Sequence, residues 1–212
     1  MIFSEILPQL IRIKEQELPG VLSHNKIMNS EVRRFLFEDF NEGKPPKESA
    51  VLGLVYPDKT GIAKMVFILR KTYDGHHSGQ IAFPGGKREP FDADLLATAL
   101  REAQEEIGID VDKVRIIKEL TMLHIPVSNY NVQAFLGITH QTPAFVKDPA
   151  EVEEILEIPF ASIVNNELAS LERQYKSKAY KLNAFDFEGL KIWGATAMIL
   201  SEIVDLYNKQ RS

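Results

Sequence analysis

The sequence predicts an α/β protein, a mixed β-sheet covered by helices, on three observations. Strand-like runs come early, AVLGLVY at 50–56 and IAKMVFILR at 62–70, with the turn-forming PDKTG between them. A helical stretch near 93–107 is followed by further strand-like runs at 113–123, 131–138 and 180–187. A second helical pattern closes the chain at 193–208. A chain of 212 residues buries about 70% of its unfolded surface, enough for one sizeable core, so one domain over 1–212 is expected.

Each element has a local reason. Residues 4–17 and 29–40 carry apolar side chains at helical spacing, Ile6, Leu10 and Ile13, then Val32, Phe35 and Leu36. They predict a mainly helical N-terminal extension over 1–42, and the polar NEGKPPKE at 41–48 reads as a surface connection into the first strand. The helix near 93–107 starts after Asp92 or Asp94, either of which can cap it. It ends at Gly108, which suits the left-handed position just past a helix. Leu95, Leu96, Ala99, Ala103 and Ile107 form its apolar side, and Ala197, Leu200, Ile203 and Val204 do the same for the closing helix.

Composition excludes several functions. Without cysteine there is no disulfide, thiolate metal site or cysteine nucleophile. A net charge of −5 gives no general attraction to nucleic acid or to an acidic membrane, so a polyanionic ligand would need positive charge supplied locally. No apolar run approaches the ~20 residues of a membrane span. The start, MIFSEILPQLIRIKE, has no basic leader and is interrupted by Glu5 and Pro8, and the chain ends KQRS rather than SKL; the cytoplasm is the expected location.

The central helix carries an electrostatic problem. Glu102, Glu105 and Glu106 lie at i, i+3 and i+4, so their carboxylates share one face. Like charges at that spacing repel by about 0.2–0.5 kcal/mol per pair. They also occupy the last turns, where the helix dipole favours cations. Most glutamate clusters on helices are solvated acidic faces. Here Pro84-Gly85-Gly86 precedes the helix, and a Gly85 or Gly86 carbonyl can join the carboxylates in an all-oxygen site for a hard divalent cation. Mg²⁺ or Mn²⁺ is the expected cofactor.

Gly86, Arg101-Glu102 and Glu105-Glu106-x-Gly108, with aliphatic Ala103 and Ile109, resemble the Nudix box, G-x5-E-x7-R-E-U-x-E-E-x-G-U. Asp92 stands in the slot of the first glutamate, with eight residues rather than seven between it and Arg101. The resemblance implies an α/β/α sandwich and cleavage of a diphosphate linked to a nucleoside. The Lys87-Arg88-Glu89-Pro90-x-Asp92 spacing is similar to the coenzyme A diphosphatase subfamily, and His77-Ser78-Gly79-Gln80-Ile81-Ala82-Phe83-Pro84-Gly85-Gly86 resembles its second signature. Asp74-Gly75 stands where that subfamily has Leu-Arg; Arg70 or Lys71 is a candidate replacement cation. The likeness covers roughly residues 50–205.

The resemblance implies Glu102, Glu105, Glu106 and the Gly85 carbonyl as metal ligands, with Arg101 orienting Glu102. Glu102 is alternatively a carboxylate beside the attacking water. Glu151 and Glu154 are candidates for a further catalytic acid or base, or else part of a solvated edge. His77, Gly79, Arg70 and Lys87 are the expected substrate-binding residues. Tyr73, Tyr130 and Phe135 are candidates to stack on adenine or to pack in the core, and Trp193 is expected to anchor a helix. The implied substrate is a small nucleotide, coenzyme A or acyl-coenzyme A. The alternatives are ADP-ribose, a dinucleotide, or a ligand-binding module without turnover. A homodimer is an open possibility.

Overall fold

A computed structural model describes residues 1–34, 43, 45–72, 79–175 and 178–210. Among them, an eight-stranded mixed sheet runs β3-β2-β1-β7-β5, with β4 added to β1, β6 to β7 and β8 to β2. The strands are β1 (Lys47–Pro57), β2 (Ala63–Arg70), β3 (Ile81–Ala82), β4 (Gly85–Lys87), β5 (Arg115–Glu119), β6 (Leu123–Ile125), β7 (Tyr130–Ile138) and β8 (Val152–Pro159). β1 and β7 are parallel from Lys47↔Tyr130 to Val55↔Ile138, and the other pairings are antiparallel. A parallel pair needs a crossover. Helix α3 (Leu95–Ile107) lies within it.

Helices cover both faces of the sheet. The remaining helices are α1 (Phe3–Arg12), α2 (Val21–Ile27), α4 (Phe160–Val164) and α5 (Gly194–Asn208). Along β1, Ala50, Leu52, Leu54 and Tyr56 pack with Ala99, Ala103 and Ile107 of α3. The alternate residue Val55 joins Phe3, Ile6 and Leu10 of α1 and Ile199, Leu200 and Ile203 of α5. This two-residue alternation is what two helical layers demand of a central strand. A separate antiparallel sheet, β9 (Ala169–Tyr175), β10 (Lys178–Phe187) and β11 (Leu190–Ile192), precedes α5.

Local signals and structure agree closely at α3. Asp94 caps it by accepting from the Ala97 N–H at 2.8 Å, and Gly108 adopts φ 69° just past its end. Asp92 is not the cap but a buried residue of the preceding loop. The single strand expected at 113–123 is two, β5 and β6, both antiparallel to β7 and separated by residues 120–122; a register shift between Ile116 and Lys118 lies within β5. Strand β8 was not anticipated; only Val152, Leu156 and Ile158 along it are buried.

Of the expected helical extension over 1–42, residues 35–42 lie outside the described residues, and 30–34 are helical. The part before it is held on α5: the Glu202 carboxylate accepts from the Gly20 N–H at 3.2 Å and the Thr121 hydroxyl at 2.6 Å. Ser23 and Lys26 of α2 both donate to Asp205. Among the described residues no helix is long and apolar enough to cross a membrane.

Candidate active site

Strand β4 runs antiparallel to β1 and passes directly beneath α3, with Val51 opposite Gly85 and Ala50 opposite Gly86. Backbone leaves room only for glycine at Gly85, and at Gly86 any side chain would displace Glu102. A Cβ on Gly85 would lie 2.3 Å from the Ala50 carbonyl oxygen, and one on Gly86 would lie 2.3 Å from Glu102 Oε2. The Glu102 carboxylate therefore packs on the bare Cα of Gly86. One turn further along α3, Glu106 Oε2 accepts the Gly85 N–H at 2.7 Å.

Arg101 organises the opposite side of this cluster. Its Nε and Nη2 donate to the two Asp92 oxygens, each at 2.9 Å. Nη1 donates to Glu102 at 2.9 Å and to Glu105 at 2.8 Å, and Nη2 also reaches the Lys87 carbonyl at 3.1 Å. All five guanidinium donors are thus used. Thr98 and the Glu89 N–H complete the Asp92 site at 3.0 and 2.9 Å.

The three glutamates sit in different surroundings. Glu106 is 2% exposed and Glu102 14%, whereas Glu105 is 57% exposed and turned toward Arg101. Burial pushes the Glu106 carboxyl up to about 7; Arg70 and the Gly85 N–H oppose this, while the charges of Glu102 and Glu151 add to it. Burial also raises Glu102, against the pull of Arg101 and with the repulsion of Glu105 and Glu151. Glu151 therefore belongs electrostatically to the cluster. Glu154 is an exposed residue of β8 opposite Leu69.

Among the described residues no three acidic or histidine side chains converge into a ready metal cage. The donor set nevertheless suits a hard cation, and a cation already lies against it: Arg70 Nη1 is 3.2 Å from Glu106 Oε1 and 3.5 Å from the Gly85 carbonyl. Two of the expected ligands are thus bonded to a guanidinium. The Nη1 nitrogen of Arg101 holds the other two.

A cavity of about 1070 Å³ lies beside β4 and is lined in part by Arg70, Gly85, Gly86 and Lys87. Its walls are β1, the β6–β7 segment, the α2 region with Arg33 and Arg34, and the first turn of α5 with Trp193 and Thr196. None of the glutamates lines it. Five arginines and lysines do, Arg33, Arg34, Lys47, Arg70 and Lys87, with no aspartate or glutamate among the described lining residues. This is the local positive charge that a chain of net charge −5 must supply to an anionic ligand.

Of the expected substrate-binding residues, Arg70 and Lys87 line this cavity, although Lys87 is also paired with Glu89 at 3.2 Å. Gly79 does not; it is a turn residue with φ 64° whose N–H reaches the Lys71 carbonyl. His77 and Tyr73 lie outside the described residues. Tyr130 lines the cavity, while Phe135 is buried in the core beneath α3. Trp193, expected to serve as an anchor, lines the cavity with the Arg173 guanidinium 4.2 Å from its ring. The wall formed by Arg33, Tyr180 and Trp193 was missed by sequence reasoning, because segments far apart in the chain build it.

A model of the NUDIX domain matches residues 46–183. Among curated relatives, Nudix hydrolase 22, chloroplastic, of Arabidopsis thaliana is 34% identical over 165 residues, which are 73% of this chain and 53% of that one. An uncharacterized Nudix hydrolase, NudL, of Photorhabdus laumondii is 32% identical over 128 residues, 60% of this chain and 68% of that one. The chain thus spans little more than half the length of the plant relative. Among solved structures, the MutT protein from Methanosarcina mazei superposes with a TM-score of 0.51 at 18% identity, covering 78% of this chain and 97% of that chain. That likeness concerns the fold, and it agrees with a mixed sheet between helical layers. With the matched domain covering most of the chain, and Glu102 and Glu106 set against Gly86 and Gly85, the chain belongs to the Nudix hydrolase family.

Proposed function

We propose that this chain hydrolyses a nucleoside diphosphate-linked substrate with Mg²⁺ or Mn²⁺, and that the substrate is coenzyme A or acyl-coenzyme A, cleaved to 3′,5′-ADP and the (acyl-)4′-phosphopantetheine. The observation that carries the reading is the packing of Glu102 and Glu106 on Gly86 and Gly85, two glycines that also line a large basic cavity. The volume, about 1070 Å³, stands at the top of the ~300–1,000 Å³ usual for small-molecule sites, which supports a long substrate. Apolar lining from Met28, Val51, Ile125, Val132 and Met198 suits a pantetheine arm.

In this reading Glu102, Glu105, Glu106 and the Gly85 carbonyl would hold the cation. When bound, such a cation acidifies a water and neutralises charge on the diphosphate oxygens. The chain's own residues do the rest. Arg70 and Lys87 meet the diphosphate where the cavity reaches β4. Arg101, held by Asp92, fixes the directions of Glu102 and Glu105. Glu151, whose charge reaches Glu102 and Glu106, is the candidate for the base; Glu154 is the weaker candidate, given its position on β8.

The test is a substrate panel on the purified full chain: coenzyme A, ADP-ribose and NADH, each with Mg²⁺ and with Mn²⁺, with products identified by mass. Release of 3′,5′-ADP from coenzyme A at the highest kcat/KM is the expected result. A preference for ADP-ribose or NADH overturns the substrate, and no turnover of any diphosphate overturns the enzymatic reading.

A further inference from the structure

The cations on the cavity wall are mostly committed. Arg70 is bonded to Glu106, Lys87 to Glu89, and Lys47 Nζ lies 5.6 Å from the centre of the Tyr130 ring. The Arg33 side chain has no hydrogen-bond, ion-pair or ring partner among the described residues. It is half-buried, and burial alone pulls its guanidinium below its ordinary value. A partly desolvated charge without a partner is costly to keep.

Its position is nevertheless well held. The Asn29 side chain accepts the Val32 N–H at 2.9 Å, and the Arg33 N–H bonds to the Asn29 carbonyl at 3.1 Å. The preceding α2 is tied to α5 through Asp205. Arg33 thus stands on a separate wall, on a different element from Arg70 of β2 and Lys87 of β4.

We infer that Arg33 recognises a second anionic group of the substrate, a phosphate monoester separate from the diphosphate that is cleaved. This deepens the proposed function and rests on its reading of the cavity as the substrate site. A phosphate monoester carries nearly two charges and three acceptor oxygens, and a guanidinium binds it through two parallel bonds. Arg34 and Lys47 on the same lining strengthen the field that draws it in. No carboxylate among the described lining residues opposes it.

The experiment compares ligands that differ only in that group. Adenosine 3′,5′-bisphosphate and 5′-AMP are titrated calorimetrically into metal-free full-length protein, wild type and R33Q. Circular dichroism confirms the fold, which R33Q leaves intact because the side chain makes no hydrogen bond or ion pair among the described residues. Wild type binds the bisphosphate about tenfold or more tightly than AMP, R33Q loses that difference, and R33K recovers part of it. In turnover, R33Q raises KM for coenzyme A by about the same factor with kcat within about twofold, and leaves 3′-dephospho-coenzyme A unchanged.

Equal weakening of both ligands by R33Q, no effect of the substitution, or no bisphosphate binding by wild type would each overturn the assignment. A chain that discriminates the two nucleotides through Arg33 but does not cleave coenzyme A keeps the subsite and loses the substrate. A chain that cleaves coenzyme A without that discrimination loses the subsite alone.

Discussion

Asp92 and Arg101 form a two-point fork, Nε to Oδ1 and Nη2 to Oδ2 both at 2.9 Å, and the free end of the same guanidinium reaches Glu102 and Glu105. The aspartate sits where the Nudix pattern has its first glutamate, one residue early relative to the helix. The fork shows how the shift is absorbed: Asp92 stays in the loop, Asp94 takes over capping, and Arg101 reaches back.

D92N tests this fork. The substitution keeps the shape but turns one acceptor oxygen into a donor facing Arg101, so a loss of about 1–3 kcal/mol in denaturant unfolding is expected. The hydrogen bonds from Arg101 hold the Asp92 carboxyl well below the usual carboxylate range, against the effect of burial. A depressed folded value means stability that is present above the unfolded value near pH ~4 and lost as the pH falls through the folded one. Wild type should therefore lose stability more steeply than D92N in an acid titration followed by circular dichroism.

Mg²⁺ should stabilise the protein. At a concentration about 100 times its dissociation constant, a cation bound only to the folded state contributes about 2.7 kcal/mol, roughly 5–10 °C in Tm at this chain length. Glu105 is more than half exposed, so E105Q should change the metal-free Tm little while most of the Mg²⁺ shift disappears. Turnover should fall at least ~100-fold. Near-normal activity of E105Q in Mg²⁺ would remove Glu105 from the ligand set.

The helix and its glutamate face were readable because both depend on local spacing: Asp94 at the cap, Gly108 past the end, and three acids within five residues. What separates those acids was not. Glu106 is buried because the Gly85 N–H meets it, and Glu105 is exposed because Arg101 draws it outward, and both facts depend on a strand and a loop elsewhere. Glu151 and Glu154 look alike in sequence, yet Glu151 stands just before β8 with its charge raising Glu102 and Glu106, while Glu154 is an exposed strand residue paired with Leu69. Arg33 and Trp193 are 160 positions apart, and no pattern within either segment announces that both border one cavity.

Glu202 links the N-terminal wall of that cavity to α5. Fully buried, it accepts from the Gly20 N–H and from both the N–H and the hydroxyl of Thr121, with His24 Nε2 3.4 Å away. Burial pushes its carboxyl up, but His24 and the Thr121 donors together outweigh this and hold it below its ordinary value. Its contribution is therefore present above about pH 4.3 and lost as the pH falls through the folded value. E202A orphans three donors at about 1 kcal/mol or more each, so a loss of roughly 3 kcal/mol is expected. Limited proteolysis should then cut faster within residues 18–30, the segment this carboxylate secures.

Gly85 and Gly86 are neighbours in one strand, yet alanine at each should fail differently. At Gly85 the new Cβ meets the Ala50 carbonyl oxygen at 2.3 Å and the Val51 Cα at 2.6 Å, and the residue has φ 149°. Backbone on both sides cannot yield, so G85A should lose several kcal/mol of stability, on the order of the largest single-residue effects. At Gly86 the obstruction is the end of the Glu102 side chain, which can swing away. G86A should therefore stay folded, with a denaturation midpoint close to wild type. Displacing the Glu102 carboxylate should nonetheless remove most of the Mg²⁺-dependent rise in Tm and most of the turnover. A folded G86A with wild-type activity would show that the position of Glu102 against β4 is not what the chemistry uses.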